Sequence, residues 1–424
     1  MAPMSRPFDL LVRNAGTVFT ADGPDGGNAD QLLAPIPGGA VGILDAQVSW
    51  IGAEGDLPGE SVARSTKILD AGGGMVAPGF VDSHTHLVWA GDRSGEFALR
   101  CAGADYLSIA RAGGGIASTV QAVRGASDEA LVSLALPRLQ RLLAQGVTTA
   151  EVKSGYGLDA ETELRMLRVI DQLGARQPIR LLRTFLWPHA MPPGSTDRAA
   201  FLTRGREVLR EVARAGLARF ADAFVEEGAF GQDEVRPFLE EARALGLGLK
   251  LHVDQLHAGH GAELAASLGA LSADHLESTG PEGIAALAKA GVTAVLIPTA
   301  TLVLRLPRYA PGRALVDAGV GVAIASNCNP GSAPTENLAL ALSLACLQNG
   351  LTPAEALLGV TRRGGEALGD ASLGRLRVGG PADLVVLGAP DVDHLVAHLA
   401  TSHVQAVVRE GRIVLRTDEN ARCC

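Results

Sequence analysis

Residues 78–86 read PGFVDSHTH, and this stretch decides the fold. Its apolar beginning belongs to the run Met75–Asp82, which predicts a buried β-strand that ends just before the histidines. Because alternate residues of an extended chain point to the same face, His84 and His86 are expected to face one spot. Two convergent imidazoles indicate a metal site, although a His-x-His pair by itself also arises by chance.

Short apolar segments and helix-periodic segments alternate after this first run. The alternation predicts repeated β-α units with a parallel sheet, and eight strands are the number that closes a barrel. The predicted strands are Met75–Asp82, Val147–Val152, Ile179–Leu186, Arg219–Val225, Leu247–Val253, Leu271–Ala273, Val292–Ile297 and Val320–Ala325. The predicted helices include Asp128–Ala144, Ala160–Leu173, Ser195–Ala215, Gln232–Leu245, Pro281–Ala290, Pro334–Gln348 and Pro353–Leu368. We therefore expect an α/β fold, a (β/α)8 TIM-like barrel.

Both ends of the chain differ from this pattern. Phe8–Val12 and Val41–Ile43 near the start, and Val404–Val408 and Ile413–Leu415 near the end, are short β segments between Gly- and Pro-rich turns. Since chain termini are often close together, the two ends are expected to form one small β-sandwich domain. The predicted division is residues 1–74 and 371–424 for this small domain and 75–370 for the barrel.

Composition excludes several classes of protein. The 424 residues are 47% hydrophobic and 20% charged, which indicates a globular protein, and the net charge of −9 comes with no basic block for a nucleic acid. The longest apolar stretch, Val292–Leu306, contains Pro298 and is too short to cross a bilayer. The N-terminus lacks an apolar signal segment, and five cysteines without framework spacing indicate a reducing cytoplasm.

Polar residues stand at the ends of several predicted barrel strands. His252 ends the fifth strand, His275 follows the sixth and Asn327 follows the eighth. Each of them alone would be interpreted as a structural residue. The carboxyl ends of barrel strands face one cavity, however, so their joint position beside His84 and His86 predicts a functional site.

The chain resembles the amidohydrolase superfamily over nearly its whole length, and within it the imidazolonepropionase family. The narrower resemblance rests on EVKSGYG at 151–157, SADHL at 272–276, NPGS at 329–332, and Tyr106 leading into GGGI at 113–116. It implies hydrolysis of the ring of 4-imidazolone-5-propanoate to N-formimino-L-glutamate in histidine degradation, by a metal-activated water. Residues 151–157 contain Lys153, which we expect to pair with Glu151 rather than to bridge two metals.

The resemblance also implies roles for individual residues. His84, His86 and His252 would bind a single Zn²⁺ or Fe³⁺, and His275 would carry the proton. The substrate-binding residues would be Arg93, Tyr106, Tyr156, His189, Gln255, Asn329, Gly331 and Ser332. A propionate tail is well matched by an arginine, since a guanidinium binds a carboxylate with two hydrogen bonds.

Asn327 departs from the amidohydrolase pattern, which has Asp at the position that ligates the metal and accepts the proton of the water. An amide oxygen ligates weakly and cannot accept that proton. Asn327 is therefore native to a branch that relies on His275, or an inactivating substitution, or the mark of a weak homologue with a binding role. The adjacent Cys328 points to the other face of the chain, where we expect a buried thiol.

Two alternatives stay open from the sequence. Another mononuclear amidohydrolase, such as a guanine- or cytosine-type deaminase, would use the same metal ligands, although Arg93 and Tyr156 favour a small substrate with an acidic tail. A catalytically weak ligand-binding homologue would explain Asn327. The expected partner is thus a small molecule with a carboxylate, with no nucleic acid and no membrane, and a homodimer is expected from base rates alone.

Overall fold

The computed structural model describes residues 6–104, 108–109 and 112–417. Its strands are β1 Leu10–Arg13, β2 Thr17–Phe19, β3 Pro35–Pro37, β4 Gly39–Leu44, β5 Gln47–Ala53, β6 Lys67–Asp70, β7 Met75–Pro78, β8 Phe80–Asp82, β9 Val147–Lys153, β10 Arg180–Phe185, β11 Phe220–Val225, β12 Gly248–Val253, β13 Ser272–His275, β14 Thr293–Leu296, β15 Val322–Ile324, β16 Leu384–Leu387, β17 Val404–Arg409 and β18 Arg412–Arg416. Its α-helices are α1 Ala29–Leu33, α2 Ser94–Cys101, α3 Ile116–Gly125, α4 Asp128–Ala144, α5 Ala160–Gly174, α6 Arg198–Arg214, α7 Gln232–Ala244, α8 Gly261–Leu268, α9 Pro281–Ala290, α10 Pro298–Leu304, α11 Gly312–Asp317, α12 Leu338–Asn349, α13 Pro353–Gly359, α14 Arg362–Ala367 and α15 Val392–Ala397.

The eight strands β8 to β15 form one parallel sheet in chain order, with helices between them, so the predicted (β/α)8 barrel is confirmed. The two outermost strands are joined just beyond their carboxyl ends. There the amide of Asn327 donates to the carbonyl of His84, and the amide of His86 donates to the carbonyl of Cys328, both at 3.0 Å. The join therefore holds the His-x-His segment against the residues that follow β15.

Most predicted helices are present with small shifts at their ends, and α4 and α9 have the predicted bounds. The predicted helix Pro353–Leu368 is wrong in one respect, because it is divided into α13 and α14. Thr361 separates the two, with a non-helical backbone (φ −119°, ψ −107°), and its hydroxyl donates to the carbonyl of Leu357 at 2.7 Å. A threonine hydroxyl that bonds to a preceding carbonyl competes with regular helix geometry.

The segments at both ends of the chain form a small β-sandwich, as predicted. One sheet has the order β5-β4-β1-β6 and the other the order β18-β17-β16-β7-β2-β3. A single buried apolar cluster contains side chains of both sheets, including Leu10 and Val41 from the first and Val76 and Val386 from the second. The strand β7 pairs antiparallel with β16, so the start and the end of the chain are joined within one sheet.

The predicted barrel strand Met75–Asp82 is wrong as a single strand. Its first half is β7 in the sandwich and its second half is β8 in the barrel, and Gly79 lies between them. The Gly79 amide donates to the Asp383 carbonyl at 2.9 Å, and a Cβ at this position would lie 2.3 Å from the Thr148 hydroxyl oxygen. The apolar run showed that both halves are buried but not that they belong to different sheets. The division into residues 1–74, 75–370 and 371–424 stays a prediction.

Within the described ranges, no helix combines the length and the apolar character that a membrane crossing requires.

Replacing Gly79 by alanine is expected to destabilise the fold. Because Thr148 is buried and β-branched, the new methyl group has no room, and overpacking of this kind costs about 1–3 kcal/mol. Urea unfolding of Gly79→Ala measures the loss. Gly55→Ala is the control, since a Cβ there meets nothing within 4 Å. Equal stability of the two variants would contradict the close approach at Gly79.

Candidate metal centre and substrate cavity

Three imidazoles converge at the carboxyl end of the barrel. The Nε2 atom of His86 lies 3.2 Å from the Nε2 of His84 and 3.2 Å from the Nε2 of His252. All three side chains are buried. The strands β8 and β12 present them, because His84 and His86 follow the end of β8 and His252 lies next to the end of β12.

Two carboxylates fix the orientation of these rings. The Nδ1 of His84 lies 2.6 Å from an oxygen of Asp274, and the Nδ1 of His252 lies 3.0 Å from an oxygen of Asp222. A carboxylate accepts, so both Nδ1 atoms carry the proton and donate it, which leaves lone pairs on the inward Nε2 atoms. Burial, foremost, lowers the pKa of His84, His86 and His252 below the ordinary value, so the rings are neutral.

This arrangement fits a metal ion. The Nε2 of His86 lies 3.2 Å from the unprotonated Nε2 atoms of His84 and His252, and in a tetrahedral site with bonds of about 2.0–2.1 Å the nitrogens lie about 3.3 Å apart. The carboxylate–histidine pairs at Asp274 and Asp222 are the usual support of histidine ligands. The side-chain oxygen of Asn327 is buried, has no hydrogen-bond partner within the described residues, and belongs to a residue that lines the same cavity.

A buried ammonium group lies beneath the three histidines. The Nζ of Lys153 is 2.6 Å from Glu151, 2.8 Å from Asp222 and 3.8 Å from Asp274. The predicted ion pair with Glu151 is therefore present, with two additional carboxylates. Although burial opposes the charge, Asp222, Glu151 and Asp274 raise the pKa of Lys153 above its ordinary value. Although burial also opposes ionisation of Asp222, His252 and Lys153 lower its pKa.

Arg93 forms one wall of the cavity, and Glu96 holds it. The Nε and Nη2 atoms of Arg93 donate to the two Glu96 oxygens at 3.0 and 2.8 Å. This bidentate pair occupies one edge of the guanidinium and leaves the Nη1–Nη2 edge for a second carboxylate. Gly331 packs against the guanidinium, where a Cβ would lie 2.3 Å from the central carbon, so only glycine fits.

His189 presents a hydrogen-bond acceptor to the cavity. Its Nδ1 lies 2.8 Å from the Gly155 carbonyl oxygen, so Nδ1 carries the proton and Nε2 is unprotonated. Burial, and then the neighbouring His252, lower the pKa of His189 to about 3. The ring centroids of Tyr156 and His86 lie 5.4 and 5.3 Å from that of His189, and 5.8 Å from each other.

His275 and Asn327 have strained backbones. Their φ angles are +84° and +57°, in a region that residues other than glycine rarely adopt, although asparagine tolerates it better than most. The ring centroid of His275 lies 5.5 Å from that of His252, and its Nδ1 is 3.6 Å from Glu277. Strain of this kind is concentrated at functional sites.

The cavity brings together most of the residues that the sequence predicted for the site. It is lined by His86, Arg93, Tyr156, His189, His252, Gln255, His275, Asn327, Asn329 and Ser332, together with Ile116, Phe224, Leu256 and Leu304. His84 and Gly331 lie immediately behind this lining. Tyr106 lies outside the described residues. Cys328 is buried, as predicted.

Sequence reasoning missed the acidic partners of the site, Glu96, Asp222, Asp274 and Glu277. Two of them had a local signal in the sequence. Asp274 lies next to His275 in the SADHL string, and Glu96 lies three residues after Arg93. No comparable signal marks Asp222, because its partners Lys153 and His252 are 69 and 30 residues away.

This chain resembles known proteins in both sequence and fold. The model of the amidohydrolase family matches residues 75–414. Solved structures of a triazine hydrolase variant (TM-score 0.75, 19% identity, 96% of this chain and 94% of that one) and of 5-methylcytosine deaminase from Klebsiella pneumoniae (TM-score 0.74, 18% identity, 96% and 98%) share the fold. The chain therefore belongs to the amidohydrolase family.

Its relatives place it more narrowly. Imidazolonepropionase from Myxococcus xanthus is 54% identical over 411 residues, which cover 96% of this chain and 98% of the relative. Imidazolonepropionase from Anaeromyxobacter dehalogenans is 51% identical over 415 residues, which cover 97% of both chains. Within the amidohydrolases, its place is among the imidazolonepropionases.

Lys153→Met is expected to lower the free energy of unfolding by about 3–5 kcal/mol, because it leaves buried carboxylates without their cation. Urea unfolding at pH 7 measures the change. The exposed Lys289→Met is the matched control and is expected to stay within about 0.5 kcal/mol of the parent. A similar effect of both substitutions would show that the buried ammonium is not needed.

Proposed function

We propose that this chain hydrolyses the imidazolone ring of 4-imidazolone-5-propanoate to N-formimino-L-glutamate, a step of histidine degradation. The proposal rests on one observation above all: His86 and His252, two of the three converging imidazoles, line the same cavity as Arg93, whose Nη1–Nη2 edge is not used by Glu96. The imidazoles could hold the ion that acts on the ring amide, and Arg93 matches the propanoate tail. The 54% identity with an imidazolonepropionase over 96% of the chain supports it independently.

His84, His86 and His252 would hold one Zn²⁺ or Fe³⁺, with the amide oxygen of Asn327 as a weak further ligand. A metal ion bound there acts as a Lewis acid on the ring carbonyl and makes a water acidic enough to react near neutral pH. Imidazole nitrogens suit both zinc and iron, so the ligands do not distinguish the two metals. Elemental analysis of the protein identifies the bound one.

Arg93 would bind the carboxylate of the substrate through its Nη1–Nη2 edge. Glu96 holds the opposite edge and thereby fixes the plane of the guanidinium before the substrate arrives. Although burial alone would raise it, Arg93 and the Gly115 amide lower the pKa of Glu96, so this anchor stays charged. The absence of a side chain at Gly331 allows the guanidinium to take this position.

The ring would be bound by the remaining polar groups of the cavity. His189 would accept a ring N–H at its unprotonated Nε2, and Tyr156, Gln255, Asn329 and Ser332 would contribute further contacts. His275 would take the proton from the attacking water and pass it to the departing ring nitrogen, since its ring lies beside the His84–His252 pair.

Asn327 is the reason why we expect slow turnover of the substrate. It provides the shape of the usual aspartate, including its left-handed backbone, but neither the negative charge nor the proton-accepting oxygen. The proton must therefore pass through His275 alone, and the metal is held less tightly. We accordingly propose a slow enzyme with an intact substrate cavity.

The comparisons do not favour the alternatives. The deaminase resembles this chain at 18% identity, which reflects the shared fold, whereas the imidazolonepropionases reach 54%. Retention of ligand without turnover would indicate a binding homologue. A cytoplasmic location, a homodimer and the lack of a nucleic-acid partner stay predictions from composition.

Arg93→Lys is expected to raise the KM for 4-imidazolone-5-propanoate at least about tenfold and to change kcat much less, because an ammonium cannot bind a carboxylate in two places. Initial rates measured by the loss of substrate absorbance give both constants. Arg377→Lys, in an exposed ion pair with Asp22, should leave both constants unchanged. If Arg93→Lys leaves KM unchanged, Arg93 does not bind the carboxylate of the substrate.

Asn327→Asp is expected to raise kcat by about a hundredfold or more at equal metal occupancy, because it restores a proton-accepting carboxylate beside the metal ligands. Substrate loss, formation of N-formimino-L-glutamate and metal content are measured together. Asn329→Asp adds the same charge two residues away and is expected not to increase the rate.

Two outcomes of this comparison would decide against the proposal. If the parent and Asn327→Asp both hold metal and neither consumes 4-imidazolone-5-propanoate, the imidazolone assignment fails, and ammonia release from cytosine or guanine is tested next. If the parent consumes the substrate and Asn327→Asp is no faster, the substrate assignment is retained. Our proposal that Asn327 limits the rate is then wrong.

A further inference from the structure

A second group of three histidines lies apart from the cavity. His394 and His398 are four residues apart at the end of α15, and His403 directly precedes β17. We call His394, His398 and His403 the three-histidine cluster. Its ring centroids are 4.0, 5.1 and 5.4 Å apart, and one nitrogen from each ring lies within 4.8 Å of the others.

The backbone holds all three residues in place. The Asp391 side chain accepts from the His394 amide at 2.7 Å and caps the helix. The His398 carbonyl accepts from the Thr401 amide at 3.1 Å, and the His403 carbonyl accepts from the Gly388 amide at 2.7 Å. The three rings are therefore presented by hydrogen-bonded backbone, with His394 in α15 and His398 at its C-cap, just beyond the last helical residue.

His403 supplies the evidence that points to a ligand. Its Nε2 is buried and has no hydrogen-bond partner among the residues that the structure describes. A buried polar atom without a partner costs free energy, so it usually marks the place of a bound water or ion. Burial, and then the nearby His394 and His398, lower the pKa of His403, which keeps the ring neutral as a metal ligand must be.

We propose that the three-histidine cluster binds one Zn²⁺ ion, or a similar borderline-soft divalent cation, as a second metal site. Three imidazoles without a carboxylate are a donor set for zinc, copper or nickel and not for magnesium or calcium. Contraction of the nitrogen triangle to the spacing of about 3.3 Å in a tetrahedral site moves each ring by about 1 Å or less. His398 is exposed, and its ring packs against that of His394 with the centroids 4.0 Å apart.

The position of the cluster gives this site a structural role that goes beyond the proposed reaction. His403 shares an apolar pocket with Phe80, which begins β8, whereas His84 and His86 follow the end of that strand. The cluster thus lies toward the opposite end of the barrel strand from the catalytic cavity. A metal there would connect α15 to β17, beside the bond from the Ser402 hydroxyl to the Ala144 carbonyl that joins the sandwich to the barrel.

The test is the number of Zn²⁺ ions bound by the full chain. Equilibrium dialysis against Zn²⁺ followed by elemental analysis is expected to give two ions per chain for the parent and one for His398→Ala and for His403→Ala. His260→Ala is the matched control, because His260 is exposed and pairs with Glu263 elsewhere, and it should retain two. Because His398 is exposed, its replacement is expected to preserve the fold and the rate of substrate turnover.

A second measurement separates a built site from surface adsorption. Addition of Zn²⁺ beyond one equivalent should raise the Tm of the parent and of His260→Ala but not that of His398→Ala. Equal numbers of bound ions in the parent, His398→Ala and His403→Ala would overturn the proposal, whatever the occupancy of the cavity site. Turnover that is absent from every variant would count against the proposed reaction and leave this binding result unaffected.

Discussion

The candidate active site depends on a buried group of charges around Lys153, to which Lys250 also belongs, with its Nζ 3.7 Å from Asp274. The Lys153 ammonium lies within 4 Å of Asp222 and Asp274, and those carboxylates bind the Nδ1 atoms of His252 and His84. Although burial opposes ionisation of Asp222, His252 and Lys153 lower its pKa. The two carboxylates accept from the histidine Nδ1 atoms and so fix both tautomers, with the lone pairs pointing inward. The capacity to hold a metal ion thus follows from an interaction one layer below the metal ligands.

The contact between the residues that follow β8 and those that follow β15 positions the other residues of the site. The hydrogen bond from the Asn327 amide to the His84 carbonyl sets the last strand end against the first ligand pair. His275 and Asn327 have positive φ angles where the chain leaves its strands, and Arg93 enters from the loop after the histidines. Asparagine at position 327 keeps this geometry while it removes a charge. The geometry of this strand end therefore does not require a carboxylate at position 327.

Much of the fold could be predicted because its signals are local. Apolar runs, helix caps and strand ends are properties of neighbouring residues, and they gave eight barrel strands and the positions of His84 and His86 at a strand end. The division of Met75–Asp82 at Gly79 could not be predicted in this way, since both halves are buried and differ only in their pairing partners. The same holds for the break at Thr361, which depends on a single hydroxyl.

The sequence alone determined the type of protein, a β/α barrel with a His-x-His pair after its first strand, an arginine in the following loop and an asparagine after the last strand. The tertiary structure decided the charge state and the orientation of these groups. Glu96 holds one edge of Arg93, Asp222 orients His252, and the three-histidine cluster forms only where the end of the chain packs on the barrel. The physical reason is distance along the chain: electrostatic partners separated by tens of residues have no periodicity, and only folding brings them within a few ångströms of one another.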